Sequence, residues 1–292
     1  MAENNKKYTI GIDVGGTKIN AVLFDGEKAL MYYMLATPKD NLEHFLIMLK
    51  AVVAPLVEKT HEIKANVAEI GIGIAGVFDS GGRKMLNSPN IPIINNVNLA
   101  ERIEKIIGLP VRIDNDAKCF VRAEALLGAG KNYQNVYGLI IGTGIGGGWW
   151  LNGQVYQGAH RGASEVDAMI IDSATGLNVE QSYHKIMQNN PGKVAQEAII
   201  GDPLAEQAYD ELGRQIGITL ANIANIIDPE IFILGGGASA SADLFLAKAK
   251  KEMSSHINST EAAKKIKVVK SKLGANAGAI GAALLCEAGR NS

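Results

Sequence analysis

Thr9-Ile10-Gly11-Ile12-Asp13-Val14-Gly15-Gly16-Thr17-Lys18, followed by Ile19-Asn20-Ala21-Val22-Leu23-Phe24, is the stretch that decides the fold. Thr9, Ile10 and Ile12 spell a buried strand, and the apolar run Ile19–Phe24 spells a second. Between them stand a carboxylate, two glycines, a hydroxyl and an ammonium, Asp13 to Lys18. Strand, short turn and strand predict a tight hairpin, and Asp25-Gly26 predicts a two-residue turn into the next strand. With no Cβ at Gly15 and Gly16, outward-facing amides can come close to a phosphate. Asp13 is placed to hold a divalent cation through water. A plain hairpin with a surface carboxylate accounts for this stretch equally well.

Working outward, the pattern recurs. Val136–Ile141 is an apolar run, followed by Gly142-Thr143-Gly144-Ile145-Gly146-Gly147-Gly148, then Trp149-Trp150-Leu151, the turn Asn152-Gly153, and Gln154-Val155-Tyr156. Copies in the two halves of the chain predict two similarly built lobes. Phosphates clamped between two such hairpins are the arrangement of the actin-like and hexokinase-like ATPases, which this chain resembles. Asp13-Val14-Gly15-Gly16-Thr17-Lys18, Ser88-Pro89-Asn90, Asn115-Asp116-Ala117 and Gly142–Gly148 also stand in the order seen in the ROK family of sugar kinases. The resemblance runs from about Thr9 to Leu285. Each motif alone is weak; the ordered set is specific.

The resemblance implies an α/β, two-lobed actin/hexokinase-like ATPase fold. Each lobe is a mixed β-sheet with flanking helices, and a cleft lies between the lobes. Residues 1–117 with the C-terminal helix 277–292 form the small lobe, and 118–276 the large one.

Composition sets the outer bounds. The 292 residues are 47% hydrophobic, enough for a sizeable core. A net charge of −1 points away from nucleic acid as a partner. Cys119 and Cys286 make neither a disulfide framework nor a zinc site, and both sit in apolar helical patterns as buried thiols. The polar start predicts a disordered tail over residues 1–7 and no signal peptide, and no apolar run is long enough to span a membrane. A cytoplasmic protein with no membrane partner is expected.

Two apparent dinucleotide fingerprints fail on context. Gly71, Gly73 and Gly76 lead into the turn Val77–Gly82, and Gly142, Gly144 and Gly147 lead into the strand Trp149–Leu151, whereas that fingerprint must open a helix. The first set lies near the sugar in the resembled family, and simple strand packing explains each glycine as well. Strand alternation turns one indole of Trp149-Trp150 inward and the other outward. Asn41–Lys59, Leu99–Ile107 closed by Gly108, Ala117–Leu127, and Pro203–Ile227 capped by Asp202 are predicted helices. A further helix is predicted from about Ala240. His160 and His184 read as solvated.

Asp114-Asn115-Asp116 closes a buried strand before a helix, a common place for function in α/β sheets, though one of them suffices to cap that helix. By resemblance Asp116 is the catalytic base and Asn115 a sugar ligand; Asp114 receives no role. Asn90, Glu165 and Glu180 are the other implied sugar contacts. Gly15, Gly16, Thr17, Lys18, Thr143 and Gly144 would hold the β- and γ-phosphates. The turn at Gly236 and Gly237 would pack on the adenosine and α-phosphate, and Asp13 would hold Mg2+. Many family members place a zinc site after the glutamate that Glu165 matches. Here Ala168 replaces its histidine and no cysteine lies between 168 and 181, so no zinc is expected.

The implied activity is ATP-dependent phosphorylation of the 6-hydroxyl of a hexose, glucose first. An N-acetylhexosamine, fructose or a β-glucoside, or a non-catalytic sugar sensor, is the alternative. The family also implies a homodimer. A DNA-reading relative would need a helix-turn-helix ahead of the first strand, and only seven residues precede Tyr8. No Walker A sequence occurs.

Overall fold

The computed structural model describes residues 8–288; the tail expected over 1–7 lies outside them. The first half runs β1 (Tyr8–Val14), β2 (Lys18–Phe24), β3 (Ala29–Ala36), α1 (Leu42–Glu62), β4 (Val67–Ile74), β5 (Val77–Phe78), β6 (Met85–Asn87), α2 (Leu99–Ile107), β7 (Val111–Asp114) and α3 (Asp116–Leu127). The second runs β8 (Asn135–Ile141), β9 (Ile145–Leu151), β10 (Gln154–Val155), β11 (Ile170–Asp172), β12 (Leu177–Asn178), α4 (Val179–Ile186), α5 (Pro191–Ile199), α6 (Pro203–Ile227), β13 (Ile231–Gly235), α7 (Leu246–His256), α8 (Thr260–Lys265), β14 (Lys267–Lys270) and α9 (Ala277–Ala288). Among the described residues no helix is long and apolar enough to cross a membrane.

The chain forms two compact units. The first takes the N-terminal part through Ala123, Gln157–Ala163, and Asn276 onward; the second takes Glu124–Tyr156 and Ser164–Ala275. The expected division at residue 117 therefore moves into α3. The excursion 157–163 was not anticipated, and it is held by hydrogen bonds to Lys118 and Asp114.

The first unit has the strand order β3-β2-β1-β4-β7, with β1, β4 and β7 parallel and the β1–β2–β3 meander antiparallel. Strand alternation divides its faces. Ile10, Ile12, Ile70 and Ile72 join the core formed with Phe45, Leu49 and Val52 of α1. Gly11 and Gly71 face the other way, onto α9. A Cβ at either would overlap the backbone, the carbonyl oxygen of Ala279 or of Ala282. These glycines therefore serve helix-on-sheet packing. Of the two roles left open for the β4 glycines, strand packing is the one seen at Gly71.

Local signals place most elements. Asn41 caps α1 through His44 N at 2.9 Å, Asp202 caps α6 through Leu204 N and Ala205 N, and Gly108 ends α2 at φ 81°. The Asp25-Gly26 turn differs from expectation. A register irregularity at Leu23/Phe24 leaves Asp25–Lys28 as the loop, and the Asp25 carboxylate accepts from Glu27 N and Lys28 N.

The second unit repeats the design in the order β10-β9-β8-β13-β14. Asn152 and Gly153 take φ of 50° and 89°, the two left-handed residues of a tight hairpin turn. Leu139, Ile141, Phe232 and Leu234 pack with Leu212, Ile216 and Leu220 of α6. Trp150 is buried; Trp149 is half-buried, under Tyr156, with its indole N–H on Asn135 Oδ1 at 2.8 Å. The helix expected from Ala240 is instead a 3-10 turn, Gly237–Leu244, before α7. Ser239 there gives its hydroxyl to Gly236 O, a local bond that competes with a regular helix.

Candidate active site

In the first unit, Asp13 stands one residue before the end of β1, on the face that carries Gly11. Gly278 of α9 comes so close that a Cβ there would lie 2.7 Å from the Asp13 carboxylate. Burial pushes the Asp13 carboxyl up to about 7; the nearby Asp116 carboxylate adds to the rise and Lys18 opposes it. Asp116 is the first residue of α3, over Gly73 of β4. The two carboxylates that the motifs picked out thus share one electrostatic site.

The Gly15–Thr17 turn is closed by Gly15 N on Lys18 O at 3.0 Å and braced by the Thr37 hydroxyl on Gly15 O at 2.8 Å. The Gly15 amide is therefore spent within the turn, contrary to the expectation that it faces outward. Thr17 and Lys18 are exposed. Gly16 lies beside Asn90, whose loop is pinned by the Ser88 hydroxyl on Ala75 O at 2.8 Å.

Asn115 proves to be the cap of α3: its Oδ1 accepts from Ala117 N at 2.9 Å and Lys118 N at 3.3 Å. Its Nδ2 reaches Gly76 O at 3.4 Å. Asp114, left without a role by the motifs, is the centre of a buried polar cluster. It is 2% exposed and accepts from Arg122 Nη2 at 2.8 Å, Gln157 Nε2 at 3.2 Å and Arg161 Nη2 at 3.4 Å. Burial works against the Arg122 charge, but Asp114 and Cys119 together hold the guanidinium above its ordinary value. Lys118 Nζ donates to Gln157 Oε1 and Arg161 O, tying the same excursion to α3.

In the second unit the Gly142–Ile145 turn closes through Gly142 N on Gly144 O at 2.8 Å and leaves Thr143 exposed. Glu180, at the start of α4, accepts from Ile145 N at 2.6 Å and pairs with His184 Nε2 at 3.0 Å. His184 is thus engaged, not solvated as expected. Tyr183 gives its hydroxyl to Gly142 O at 2.6 Å. Glu165 is exposed, in a loop seated on β9 where Gly147 leaves room: a Cβ there would lie 2.6 Å from Ser164 O. Gly236 takes φ 81° beside Ile141, and Gly237 N approaches Gly142. The two glycine turns of this unit are therefore adjacent.

Sequence reasoning missed Asp114, Tyr183 and Glu124. Glu124 pins the loop after β14 through the Ser271 hydroxyl at 2.6 Å and Leu273 N at 2.9 Å. A buried acid within an otherwise apolar helical stripe was its available signal.

The donor set near Asp13 suits a small hard cation. Mg2+ binds through one or two carboxylates together with water and substrate phosphates. Asp13 and Asp116 supply carboxylates whose mutual repulsion a cation would relieve. Among the described residues no group of three or more His, Cys, Asp or Glu could hold a metal ion. The segment where the resemblance places a zinc site is here the β11–β12 hairpin. Asp172 closes it on Ala174 N and the Thr175 hydroxyl, and a capping box between Asn178 and Gln181 starts α4.

The model of the ROK family matches residues 9–177 and 166–288. An N-acetyl-D-glucosamine kinase of Photobacterium profundum is 31% identical, over 94% of this chain and 98% of its own length. A glucokinase of Streptomyces coelicolor is 30% identical, over 94% and 96% respectively. A ROK family glucokinase from Streptomyces griseus, solved with glucose and AMPPNP, superposes with a TM-score of 0.81 at 30% identity. That match covers 95% of this chain and 98% of the other.

Proposed function

Because this chain belongs to the ROK family, we propose that it transfers the γ-phosphate of ATP to the 6-hydroxyl of a hexose, with glucose as the preferred acceptor. The observation that carries this reading is the electrostatic coupling of Asp13 and Asp116 beside the Gly15–Thr17 turn. In phosphoryl transfer the protein chiefly positions groups and spreads charge. Asp116 orients the attacking hydroxyl and takes its proton late, when bond formation has raised its acidity. Asp13 would hold Mg2+, which when bound neutralises charge on the phosphates.

The amides of Gly16 and Thr17, with the Thr17 hydroxyl and Lys18, meet the phosphate chain, as do Thr143 and Gly144. Gly236 and Gly237 pack on the nucleoside end. Asn90, Asn115, Glu165 and Glu180 meet sugar hydroxyls. Asn115 does so through its amide N–H, since its oxygen is held by α3. A site built to pair each hydroxyl rejects analogues that leave its groups unpaired.

One observation favours a second acceptor. Ala168, exposed at the end of the turn after Glu165, stands where the resembled family places a histidine, which removes one contact to the sugar. An N-acetylhexosamine or a β-glucoside is the alternative this suggests. A coupled ADP-release assay over glucose, N-acetylglucosamine, N-acetylgalactosamine, fructose and a β-glucoside tests both. The highest kcat/KM is expected with glucose; ADP release with none of them would refute the kinase reading.

A further inference from the structure

We propose that Lys118 is a positioning residue for the acceptor sugar: its ammonium fixes the shape of residues 157–163 and, through them, the aim of Glu165. This rests on the kinase reading above, in which Glu165 meets sugar hydroxyls.

No helix or strand runs through 157–163, so other bonds must give the segment its shape. Within the first unit it closes on itself through Ala163 N on Gln157 O at 3.2 Å. Side chains from α3 and from the end of β7 then hold it. Lys118 Nζ donates to Arg161 O at 2.7 Å and to Gln157 Oε1 at 3.1 Å, and the Asp114 carboxylate accepts from Gln157 Nε2 and Arg161 Nη2. Gln157 is thus gripped at both ends of its amide, and Arg161 at both its carbonyl and its guanidinium. Arg161 takes φ 61°, a left-handed conformation that costs a non-glycine residue free energy and persists only where its surroundings impose it. Lys118 imposes it from the carbonyl side. On the other side the guanidinium lies over Gly82, where a Cβ would come 3.1 Å from Arg161 Cζ.

An ammonium is costly to bury, and Lys118 is 2% exposed. A residue needed only to fill this space would be apolar. What the charge adds is two aimed hydrogen bonds to this segment. Lys118 is also the third residue of the helix that opens with Asp116, and its own N–H joins the Asn115 cap. The helical turn that carries the proposed base and the segment that leads to Glu165 therefore share one anchor. In the second unit the chain is pinned again. Ser164 takes φ 72°, and the Tyr137 hydroxyl meets Ser164 over Gly147. Glu165 follows directly. A carboxylate reached through two residues in a costly conformation takes its direction from the groups that hold them, Lys118 first. Fixing that direction before the sugar arrives saves ordering cost on binding.

The test is steady-state kinetics of Lys118→Met with the best sugar from the coupled assay, together with AMPPNP titration. Methionine keeps the apolar stem and removes the ammonium, so a role in packing alone would survive the change, whereas Arg161 O and Gln157 Oε1 lose a donor. Sugar KM is expected to rise about tenfold, kcat to fall by less than about threefold, and AMPPNP affinity to stay within about twofold of wild type. Amide exchange in the peptide spanning 157–165 should quicken. Gln157→Met removes the segment's side of the same hold and should raise sugar KM with the same selectivity; it decides by the same limits if Lys118→Met does not fold. Sugar KM within about twofold of wild type, or AMPPNP affinity falling as far as sugar affinity, overturns the assignment of Lys118 while leaving the kinase reading intact. Wild-type protein that phosphorylates no sugar overturns both.

Discussion

Asp114→Asn is the most informative single change, because Asp114 adjoins the residues assigned to chemistry yet touches none of the reacting groups assigned here. The side chains of Asp114 and Arg122 are 2% and 6% exposed and meet at 2.8 Å, with Gln157 and Arg161 donating to the same carboxylate. Asparagine keeps one acceptor oxygen but turns an NH2 toward donors and leaves the Arg122 charge buried without its counter-ion. Removing one partner of a buried pair costs about 3–5 kcal/mol. The retained oxygen puts the expectation near the lower end, about 3 kcal/mol, a fall in Tm of roughly 6–12 °C for a unit of this size. Thermal melting followed by circular dichroism measures it, and turnover is read well below the melting range. Turnover there should drop far less than in Asp116→Asn, with the loss shared between kcat and sugar KM through loosening of 157–163. Adding Arg122→Gln to Asp114→Asn should recover part of the lost stability, since the double variant buries no lone charge. A melting point within about 2 °C of wild type, less than 1 kcal/mol by the same scaling, would show that Arg122 finds compensation elsewhere and would refute the reasoning.

Asp116→Asn should lower kcat by roughly two to four orders of magnitude, as for a lost general base, with little change in sugar affinity or Tm; near-normal steady-state turnover would remove the assignment. Asp13 carries a pH dependence. Its carboxyl titrates at about 7 when folded against 3.8 as the ordinary value, so the folded state holds the proton more tightly. Stability is then fully present below about pH 4 and is lost as pH rises to about 7. The loss is at most about 4 kcal/mol for three pKa steps, and less because Asp13 keeps partial solvent contact and titrates with Asp116. Asp13→Asn should therefore melt higher than wild type at pH 8 in chelator, and that gain should vanish toward pH 4, while turnover is lost. Equal gains at both pH values in calorimetry would contradict it. Gly71→Ala should destabilise by about 1–3 kcal/mol or more, or abolish soluble folding, since its methyl overlaps the Ala282 carbonyl and α9 must shift; an unchanged denaturant midpoint would mean that α9 does not pack there.

Much of the fold was legible because its signals are local. Apolar runs around Gly15-Gly16 and around Gly142–Gly144, Asn152-Gly153, Asp202-Pro203 and Gly108 each dictate their own geometry within a few residues. The candidate site was legible in part for the same reason: Asp13, Thr17, Asp116 and Thr143 stand in ordered motifs. What stayed hidden depends on partners far along the chain. Gly71 looks like a ligand-approach glycine until α9, some two hundred residues later, is laid on it. Asp114 looks like a spare cap until Arg122, Gln157 and Arg161 converge on it. Spacing cannot reveal such a meeting, because none of these contacts repeats a local period.

Glu180 is a motif position whose surroundings differ from the motif. Its match to a sugar-binding glutamate of the family implied a sugar ligand, without the cysteines that anchor that match in relatives. In the folded chain the Asp172 turn and the Asn178–Gln181 box set the start of α4. That start aims the carboxylate at the backbone of Ile145. The segment is held by hydrogen bonds worth about 1 kcal/mol each. The β11–β12 segment should accordingly be the part of the second unit that opens first, and the Gly142–Ile145 turn should loosen with it through α4. Hydrogen exchange of 170–178 and 142–151 should then rise together with temperature, and quickening of the first without the second would break the proposed link.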